Sequence, residues 1–283
     1  MLDSRNHYHK ITQWSITIVL SVLLTTVCLS NTYNTQSIIG LCIAFLLLCV
    51  IGLTYKTKAI QQLRPLILLI SLVYFGFVAG GCNCILFYFQ GFILFLMGKS
   101  FYWISFLVIL TIILTSITFG SIWCGWLCWL GALQEFLYQS NSLNILKTKK
   151  SQKILIGVQV FAFVALIFWV IFSRRPVLCS YDPFTSIFKL KIFNWIGYIT
   201  VPLLLLSSLL IYRPFCRMLC PIGLMMYGVK YLPFAKKIEL TNCTRCNKCV
   251  KHCKMNAIQE GEILKTCIMC GECKKEECKS FIF

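Results

Sequence analysis

The chain contains few histidines and few acidic residues. Of its 283 residues, three are histidine and nine are aspartate or glutamate, against 27 lysines and arginines. The histidines are His7, His9 and His252, and none of them lies in an apolar segment. A membrane haem held by two histidines is therefore excluded, and no C-x-x-C-H motif for covalent haem occurs. The G-x-G-x-x-G and P-loop frames are also missing, so nucleotide binding has no support.

Charged residues are scarce overall, and apolar residues dominate. The two classes make up 13% and 58% of the chain, and the mean hydropathy is +0.79. This composition is typical of a polytopic membrane protein. A bilayer span needs about 20 apolar residues, and we predict six spans, at 12–30, 37–54, 66–81, 101–120, 154–172 and 194–212. A shorter apolar stretch, 85–97, is interrupted at Gly91 and indicates a re-entrant or interfacial segment.

Lysine and arginine residues are unevenly distributed among the loops between the predicted spans. Nine lie in the N-terminal segment and in two loops on the same side of the membrane: Arg5, Lys10, Lys56, Lys58, Arg64, Lys147, Lys149, Lys150 and Lys153. The opposite loops have five: Lys99, Arg174, Arg175, Lys189 and Lys191. Because positively charged loops remain in the cytoplasm, we expect both termini on the cytoplasmic side of a bacterial inner membrane. Topology thus explains the basic charge, and nucleic acid is not an expected partner.

Eight cysteines near the C terminus form two runs with a spacing typical of ferredoxins. The first run, C-x2-C-x2-C-x3-C, and the second, C-x2-C-x2-C-x4-C, together predict two [4Fe–4S] clusters. The fourth cysteine of each run usually ligates the other cluster. One predicted ligand set is Cys243, Cys246, Cys249 and Cys278, and the other is Cys267, Cys270, Cys273 and Cys253. Zinc would need two C-x2-C pairs separated by a longer insert, and disulfides do not explain three evenly spaced thiols twice.

The residues around these runs are predicted to form a separate small domain. Ile258 and Ile263 lie on either side of Gly261, a pattern that indicates a short hairpin between the runs. We therefore expect residues 231–283 to be a ferredoxin-like α+β domain. It would follow an N-terminal two-span segment (1–65) and an all-α membrane domain (66–230).

A second cysteine pattern occurs twice inside the membrane domain. Cys124 to Gly131 and Cys216 to Gly223 share the frame C-x3-C-x2-G. Each motif follows a predicted span, so the pattern indicates an internal duplication of a two-span unit with parallel orientation. Both motifs would then lie at the cytoplasmic face, beside the C-terminal domain.

The spacing of these cysteines suggests a joint role. Residues i and i+4 share one face of a helix, so each motif would present two thiols together. Four thiols can ligate a third iron–sulfur cluster or act as redox thiols: Cys124, Cys128, Cys216 and Cys220. The alternative is that they are small buried packing residues. Helices are predicted to begin at Pro221, after the second motif, and at the equivalent Trp129.

Two carboxylates accompany the membrane domain. Glu135, near Gln134 and Trp129, is a functional candidate, because ionisable residues near a membrane are often functional. The alternative is that Glu135 neutralises a neighbouring lysine. Asp182 precedes Pro183, and this order favours a helix cap.

Three further cysteines lie on the predicted outer side: Cys82, Cys84 and Cys179. They are the redox-capable groups nearest to that side of the membrane. A metal centre, a disulfide and simple packing all remain open for them.

Together these features resemble the NapH/NosR/MauN group of membrane polyferredoxins. The resemblance extends from Leu66 to the C terminus. It is carried by Cys179-Ser-Tyr-Asp182-Pro183-Phe184, by Phe215-Cys216-Arg-Met-Leu-Cys220-Pro221 and by the two closing cysteine runs. The chain departs from the group at Trp129, where the first motif would have proline. The covalent-flavin signature of the NosR branch is missing, so the chain resembles the NapH-like branch most, and no covalent flavin is expected.

The resemblance implies a role in respiration. Members of the group are associated with passing electrons from the quinol pool toward periplasmic reductases of nitrogen-oxide respiration. This implies membrane lipid, quinol and other subunits of a respiratory complex as partners, with quinol dehydrogenase activity as the corresponding reaction. With that reaction, Glu135, Gln134 and Trp129 would line a quinol site in which Glu135 takes up a proton. The alternative is a maturation factor that uses its clusters to reduce a metal or thiol while another metalloenzyme is assembled.

Overall fold

The computed structural model describes residues 46–47, 50–51, 58–78, 85–139, 148–178, 182–190, 195–233, 235, 239–240, 248–259, 262–274 and 281–282. The chain divides into two compact units, residues 1–60 and 61–283. Almost all described elements belong to the second unit.

Helices make up nearly all of the described membrane part. They are α1 (Lys58–Ser71), α2 (Ile85–Leu96), α3 (Trp103–Phe119), α4 (Trp129–Leu137), α5 (Lys149–Ser173), α6 (Pro183–Phe188), α7 (Trp195–Leu210), α8 (Pro214–Met218) and α9 (Pro221–Val229). Two π-helical segments, Leu72–Val78 and Trp123–Leu127, and a 3-10 turn, Ser100–Tyr102, connect some of them.

Three of the described helical stretches are long and apolar enough to cross a membrane. They are Ile60–Val78, Ser100–Phe119 and Lys150–Ser173, and they correspond to the third, fourth and fifth predicted spans. The first two predicted spans lie almost wholly outside the described residues. The sixth coincides with α7, whose 16 residues contain Pro202 and are fewer than a span usually needs. Among the described residues, three of the six predicted spans therefore correspond to helices long and apolar enough to cross a membrane, and the number six stays a prediction.

The short apolar stretch before α3 is a continuous helix, α2, of 12 residues. Gly91 does not interrupt it, contrary to the sequence-based expectation. A Cβ atom at Gly91 would lie 2.2 Å from the hydroxyl oxygen of Ser105 on α3. The glycine therefore permits two helices to approach closely, as small residues do between membrane helices.

Local capping sets the ends of two helices. The hydroxyl of Thr148 accepts a hydrogen bond from the amide of Ser151 at the start of α5. At the start of α6, the Asp182 carboxylate accepts one from the amide of Phe184 at 3.0 Å, with Pro183 at the first helical position. The predicted capping role of Asp182 is confirmed.

The elements described in the C-terminal region are short. They are β1 (Glu239–Leu240), α10 (Lys248–His252), β2 (Ile258–Gln259), β3 (Glu262–Ile263), a 3-10 turn (Glu272–Lys274) and β4 (Phe281–Ile282). Antiparallel β2 and β3 pair Ile258 with Ile263, which confirms the predicted hairpin. Antiparallel β1 and β4 bring the two ends of the region together.

Candidate iron–sulfur site

The two C-x3-C motifs fold in the same way. Cys124 lies in the π-helical segment Trp123–Leu127 and Cys216 lies in α8, while Cys128 and Cys220 are the N-caps of α4 and α9. In each motif the amide of the second cysteine donates to the carbonyl oxygen of the residue before the first, Trp123 or Phe215, at 3.0 Å. The internal repeat thus extends to individual hydrogen bonds.

The expectation that both thiols of a motif share a face of one helix is wrong. Cys128 and Cys220 have extended backbone conformations, with ψ angles of 106° and 115°. The reason is clear for Cys220, because proline at the next position disfavours the helical region for the residue before it. Helices do begin at Trp129 and Pro221, as predicted. The second thiol of each motif therefore lies at a helix N terminus, where the helix dipole favours negative charge.

All four C-x3-C thiols line one cavity of about 70 Å³. Burial raises the pKa of Cys124 and of Cys216 to about 12. Burial likewise raises the pKa of Cys128 and Cys220, although the amide of Gly131 opposes this effect at Cys128. Thiols this deeply buried need a cation or a metal before they ionise.

The donor set fits an iron–sulfur cluster better than a single ion. Among the described residues, no three His, Cys, Asp or Glu side chains are arranged to hold one metal ion. A [4Fe–4S] cluster is wider than an ion, and its usual ligands are four cysteine thiolates. The cavity is also much smaller than the roughly 300–1,000 Å³ typical of organic ligand pockets. Four thiols around a small apolar cavity therefore suit a compact inorganic group.

The glycine that ends each motif is required by close packing. A Cβ atom at Gly131 would lie 2.7 Å from Nη1 of Arg213, and one at Gly223 would lie 2.9 Å from Nε2 of Gln159. Gln159, on α5, donates from this atom to the carbonyl oxygens of Cys216 and Cys220 at 3.2 and 2.8 Å. Because neither glycine has a side chain, Arg213 can reach the backbone of Cys124, and Gln159 can reach the backbone of Cys216 and Cys220. We call these two contacts the clamps of the motifs.

The two motifs also hold each other. Gln134 follows the first motif, and its Oε1 accepts from the amide of Phe215 in the second at 3.0 Å. Its Nε2 lies 3.7 Å from the sulfur of Cys216. In return Arg213, which precedes the second motif, donates to the carbonyl oxygen of Cys124 in the first. The ligands of one half are therefore positioned by side chains of the other.

Glu135 lies between two buried arginines. Arg64 on α1 contacts both carboxylate oxygens at 2.8 Å, and Nη2 of Arg213 contacts one at 2.5 Å. The three side chains are 3%, 1% and 9% exposed for Arg64, Arg213 and Glu135. Burial raises the pKa of Glu135, but the charges of Arg213 and Arg64 outweigh it and lower the pKa to about 2. Neutralisation of Glu135 was expected, but from a lysine rather than from two arginines.

Arg64 belongs to the site rather than to a loop. It was counted among the loop charges in the topology argument, yet it lies in α1. Its Nε and Nη2 donate to the carbonyl oxygen of Gly125 at 3.2 and 3.1 Å. Its Nη1 also pairs with Glu272 of the C-terminal region at 3.2 Å. One buried guanidinium thus joins α1, the first motif and the C-terminal region.

The second cysteine run of the C-terminal region packs directly on the first motif. The indole of Trp126 donates to the carbonyl oxygen of Met269 at 3.0 Å. A Cβ atom at Gly125 would lie 2.4 Å from the carbonyl oxygen of Ile268. Cys267 lines the same cavity as the four C-x3-C thiols. The cavity is therefore shared by the membrane helices and the C-terminal region.

Cys253, the fourth cysteine of the first run, lies near cysteines of the second run. Burial raises the pKa of Cys253, and nearby Cys270 and Cys267 raise it further, to about 12. Burial also raises the pKa of Cys273, and Cys270, Cys267, Cys253 and Cys249 raise it further. Because Cys249 was assigned to the other cluster, the division of these cysteines into two ligand sets stays a prediction.

Several predicted site residues lie outside the described part of the chain. They are three ligands of the other cluster, Cys243, Cys246 and Cys278, and the three outer cysteines, Cys82, Cys84 and Cys179. Cys249, the remaining predicted ligand of that cluster, is buried within α10. These assignments stay predictions.

The sequence analysis missed the basic and amide side chains around the cavity. Among them Arg213, Arg217 and Lys230 are buried and line it, together with Gln159. No periodic or spaced pattern marks these residues. Arg213 lies three residues before the second motif, and Arg217 lies within it. This proximity to the motif was the one available signal.

The model of a family described as 4Fe-4S binding domain matches the chain twice, at residues 100–151 and 193–240. Each matched segment contains one C-x3-C motif with the helices on either side of it, in agreement with the predicted duplication. The cysteines within the matched segments are Cys124, Cys128, Cys216 and Cys220. The ferredoxin-type runs lie beyond both segments.

Relatives are found in archaea and bacteria. An uncharacterized protein of Methanocaldococcus jannaschii is 29% identical over 79% of this chain and 96% of its own length. YccM of Escherichia coli K12, which is named for a role in electron transport, is 28% identical over 59% of this chain and 50% of YccM. Protein NirI of Paracoccus denitrificans is 27% identical over 62% of this chain and 29% of NirI. No solved structure matches.

The chain spans nearly the whole archaeal relative but half or less of the two bacterial ones. It combines apolar helices of membrane-spanning length with a twice-matched iron–sulfur domain. The resemblance to the membrane polyferredoxins, the group of NapH-like proteins, is thereby confirmed.

Proposed function

We propose that the chain is a membrane-bound electron carrier in which the four C-x3-C thiols hold a third [4Fe–4S] cluster. The observation that carries the proposal is the one cavity that these thiols share with Cys267. Cys267 belongs to a ligand set predicted for a cluster of the C-terminal region. The C-x3-C cluster and this second cluster would therefore be neighbours, separated by the cavity wall that contains Cys267. When bound, such clusters supply one-electron transfer.

The charge of the cavity supports this proposal. Arg217 and Lys230 line it, are 7% and 8% exposed, and have no acidic partner in the described part of the chain. The Nη2 atom of Arg217 has no hydrogen-bond partner there either. Buried cations are costly unless a negative group compensates them. An oxidised [4Fe–4S] cluster with four thiolates carries a charge of about −2 and would compensate both.

The residues around the thiols would exclude water. Ile222 and Met226 of α9 are each 2% exposed and line the cavity. Gln134 faces Cys216, and such polar contacts to ligand sulfur tune a cluster's potential. The protein would thus supply a dry, cationic pocket that favours uptake of an electron.

Iron content tests the third cluster. The full chain, purified anaerobically in detergent, should contain about twelve irons, against about eight if only the two ferredoxin-type clusters form. The double variant Cys124→Ser/Cys216→Ser should fall to about eight. The control Cys28→Ser/Cys42→Ser makes the same chemical change in the N-terminal segment and should retain the wild-type content. About eight irons in the wild type, unchanged by the first pair of substitutions, would refute the third cluster.

We further propose quinol as the electron donor and a respiratory reductase system as the acceptor. The resemblance to NapH-like proteins supports this direction, and the relation to YccM supports electron transport in general. The side chains of Phe161, Phe168 and Phe172 on α5 are 77%, 76% and 89% exposed, as expected for contact with the lipid phase in which quinol dissolves. The cavity is too small to hold a quinol ring beside a cluster, so quinol would bind outside it.

The proposed proton role of Glu135 remains a prediction, but its surroundings favour a structural one. A carboxylate fixed by two buried arginines has a lowered pKa and does not readily take up a proton near neutral pH. Its ion pairs instead connect α1, α4 and the start of the second motif.

Quinol-driven reduction distinguishes a respiratory carrier from a maturation factor. A menaquinol or ubiquinol analogue should reduce the clusters of the wild-type protein, as followed by EPR spectroscopy. Reduction by dithionite but by neither quinol would refute the quinol proposal and favour the maturation function.

A further inference from the structure

Lys230, the residue that ends α9, is buried and lies between the two halves of the site. It is 8% exposed and lines the cavity of the four C-x3-C thiols. Its ammonium group donates to the carbonyl oxygen of Lys265 at 2.8 Å and to that of Cys267. One side chain therefore contacts the loop that carries the second cysteine run and also borders the cavity.

A lysine in this position needs a physical explanation. Lysine is almost never fully buried unless it is paired. Within the described residues, the acceptors of Lys230 are two neutral carbonyl oxygens, which satisfy its donors but not its charge. Burial lowers the pKa of Lys230, whereas Cys267 and then Cys124 raise it. The groups that would compensate the ammonium charge once they bind a cluster as thiolates are thus cysteines from both sides of the cavity wall.

A fixed positive charge near a cluster favours the reduced form. Adding one electron makes a cluster more negative, so a nearby cation stabilises the product more than the reactant. Net charge and hydrogen bonding around the sulfurs are among the main determinants of cluster potential. The effect is larger in a buried site, where water does not screen the charge.

We propose that Lys230 is a positioning residue that holds the Lys265–Cys267 backbone on the cavity wall and, through its charge, raises the reduction potential of the cluster that Cys267 ligates. The effect on potential rests on the proposed function only in that Cys267 binds a cluster. If the C-x3-C thiols hold a cluster as well, this cluster, rather than the one predicted at Cys243, Cys246, Cys249 and Cys278, would be its electron-transfer partner.

Three substitutions separate the charge from the hydrogen bonds. Lys230→Gln keeps a donor but removes the charge, Lys230→Met removes both, and Lys230→Arg keeps both. Lys150→Met removes the same charge from an exposed position at the start of α5 and serves as the control. The full chain is titrated potentiometrically with EPR detection, and iron is measured on each sample.

In Lys230→Gln, the midpoint potential of one cluster should fall by about 59 mV or more. At the midpoint potential of the wild type, the ratio of oxidised to reduced cluster would then be tenfold higher or more, because about 59 mV corresponds to a factor of ten for one electron. Lys230→Arg and Lys150→Met should titrate like the wild type. Wild-type potentials in Lys230→Gln and Lys230→Met, with full iron content, would overturn the proposal. If Lys230→Gln loses iron and Lys230→Arg retains it, the proposal is supported. If both variants lose iron, the proposal is overturned.

The result is independent of the third cluster. If the wild type contained only about eight irons, the function proposed for the C-x3-C thiols would fail. Lys230→Gln would still report on the cluster at Cys267.

Discussion

The indole nitrogen of Trp126 donates a hydrogen bond to the backbone carbonyl oxygen of Met269, at 3.0 Å and across 143 residues of sequence. Trp126 lies between the two cysteines of the first C-x3-C motif, and Met269 lies between two cysteines of the second ferredoxin-type run. Because both partners are buried, the bond holds the first C-x3-C motif against the second cysteine run, whose cysteines are predicted cluster ligands. The C-terminal region is thus part of the site and not an appendage.

Substitution of Gly125 by alanine should weaken this contact. The new Cβ atom would lie 2.4 Å from the carbonyl oxygen of Ile268, so the loop of the second run must move away. We expect faster amide exchange at residues 265–273, measured by hydrogen–deuterium exchange mass spectrometry. Gly228→Ala in α9, where a Cβ atom would meet nothing within 4 Å, is the control and should exchange like the wild type. Equal protection in both variants would contradict the docking.

Substitution of Glu135 by glutamine should destabilise the folded protein strongly. It leaves Arg64 and Arg213 without the carboxylate that each of them contacts. Breaking a buried ion pair by removing one partner typically costs about 3–5 kcal/mol. A lower midpoint in thermal unfolding, followed in detergent, is the expected result, and Glu262→Gln at an exposed position is the control. If Glu135→Gln unfolds at the same temperature as the control, the folded protein does not need the carboxylate of Glu135 beside the two arginines.

The pH dependence of this destabilisation tests whether Glu135 exchanges protons. Its pKa is lowered from 4.5 to about 2. A depressed carboxylate pKa contributes stability that is fully present above the unfolded value, and this contribution is lost as the pH falls toward the folded value. The difference in midpoint between wild type and Glu135→Gln should therefore be constant from about pH 8 to about pH 5.5. A difference that shrinks within this window would mean that Glu135 titrates there, as a quinol proton acceptor must.

Alanine at Gly131 or Gly223 should reduce cluster binding at the C-x3-C thiols. Each new Cβ atom would displace the side chain that clamps a cysteine backbone, Arg213 in one case and Gln159 in the other. We expect each variant to lose up to about four irons per chain, the content of one cluster. Gly157→Ala on α5, where a Cβ atom has open space, should retain them all. Full iron content in both motif variants would mean that the clamps are dispensable.

The sequence was sufficient where the signal is local. Hydropathy identified the helices around 66–81, 101–120 and 154–172, and the order Asp182-Pro183 identified a helix start. Pro221 likewise marked the start of α9. Each of these features depends on neighbouring residues or on a continuous apolar run, which is what sequence patterns record.

The sequence was insufficient where contacts join distant segments. Arg64 looked like a loop charge because nothing near it in sequence is acidic, whereas its partner Glu135 lies on α4. The segment from Cys124 to Cys128 was predicted as a regular helix, because cysteines at i and i+4 fit one. The structure differs in that the amide of Cys128 donates to the carbonyl oxygen of Trp123, five residues earlier, and this bond leaves no mark on the sequence pattern. Gly91 was taken as a helix interruption because its packing partner, Ser105, is on another helix.

The shared cavity also constrains the order in which the protein matures. The four thiols come from positions 124 to 220, and a wall of the cavity comes from residues 265–268. A ribosome that has reached α8 has delivered three of the four thiols, and residues 265–268 are synthesised only after all four. If the C-x3-C thiols bind a cluster, iron and sulfide would have open access to them before this wall is in place. A chain truncated before residue 265 would lack the wall and should leave the four thiols accessible to a thiol reagent.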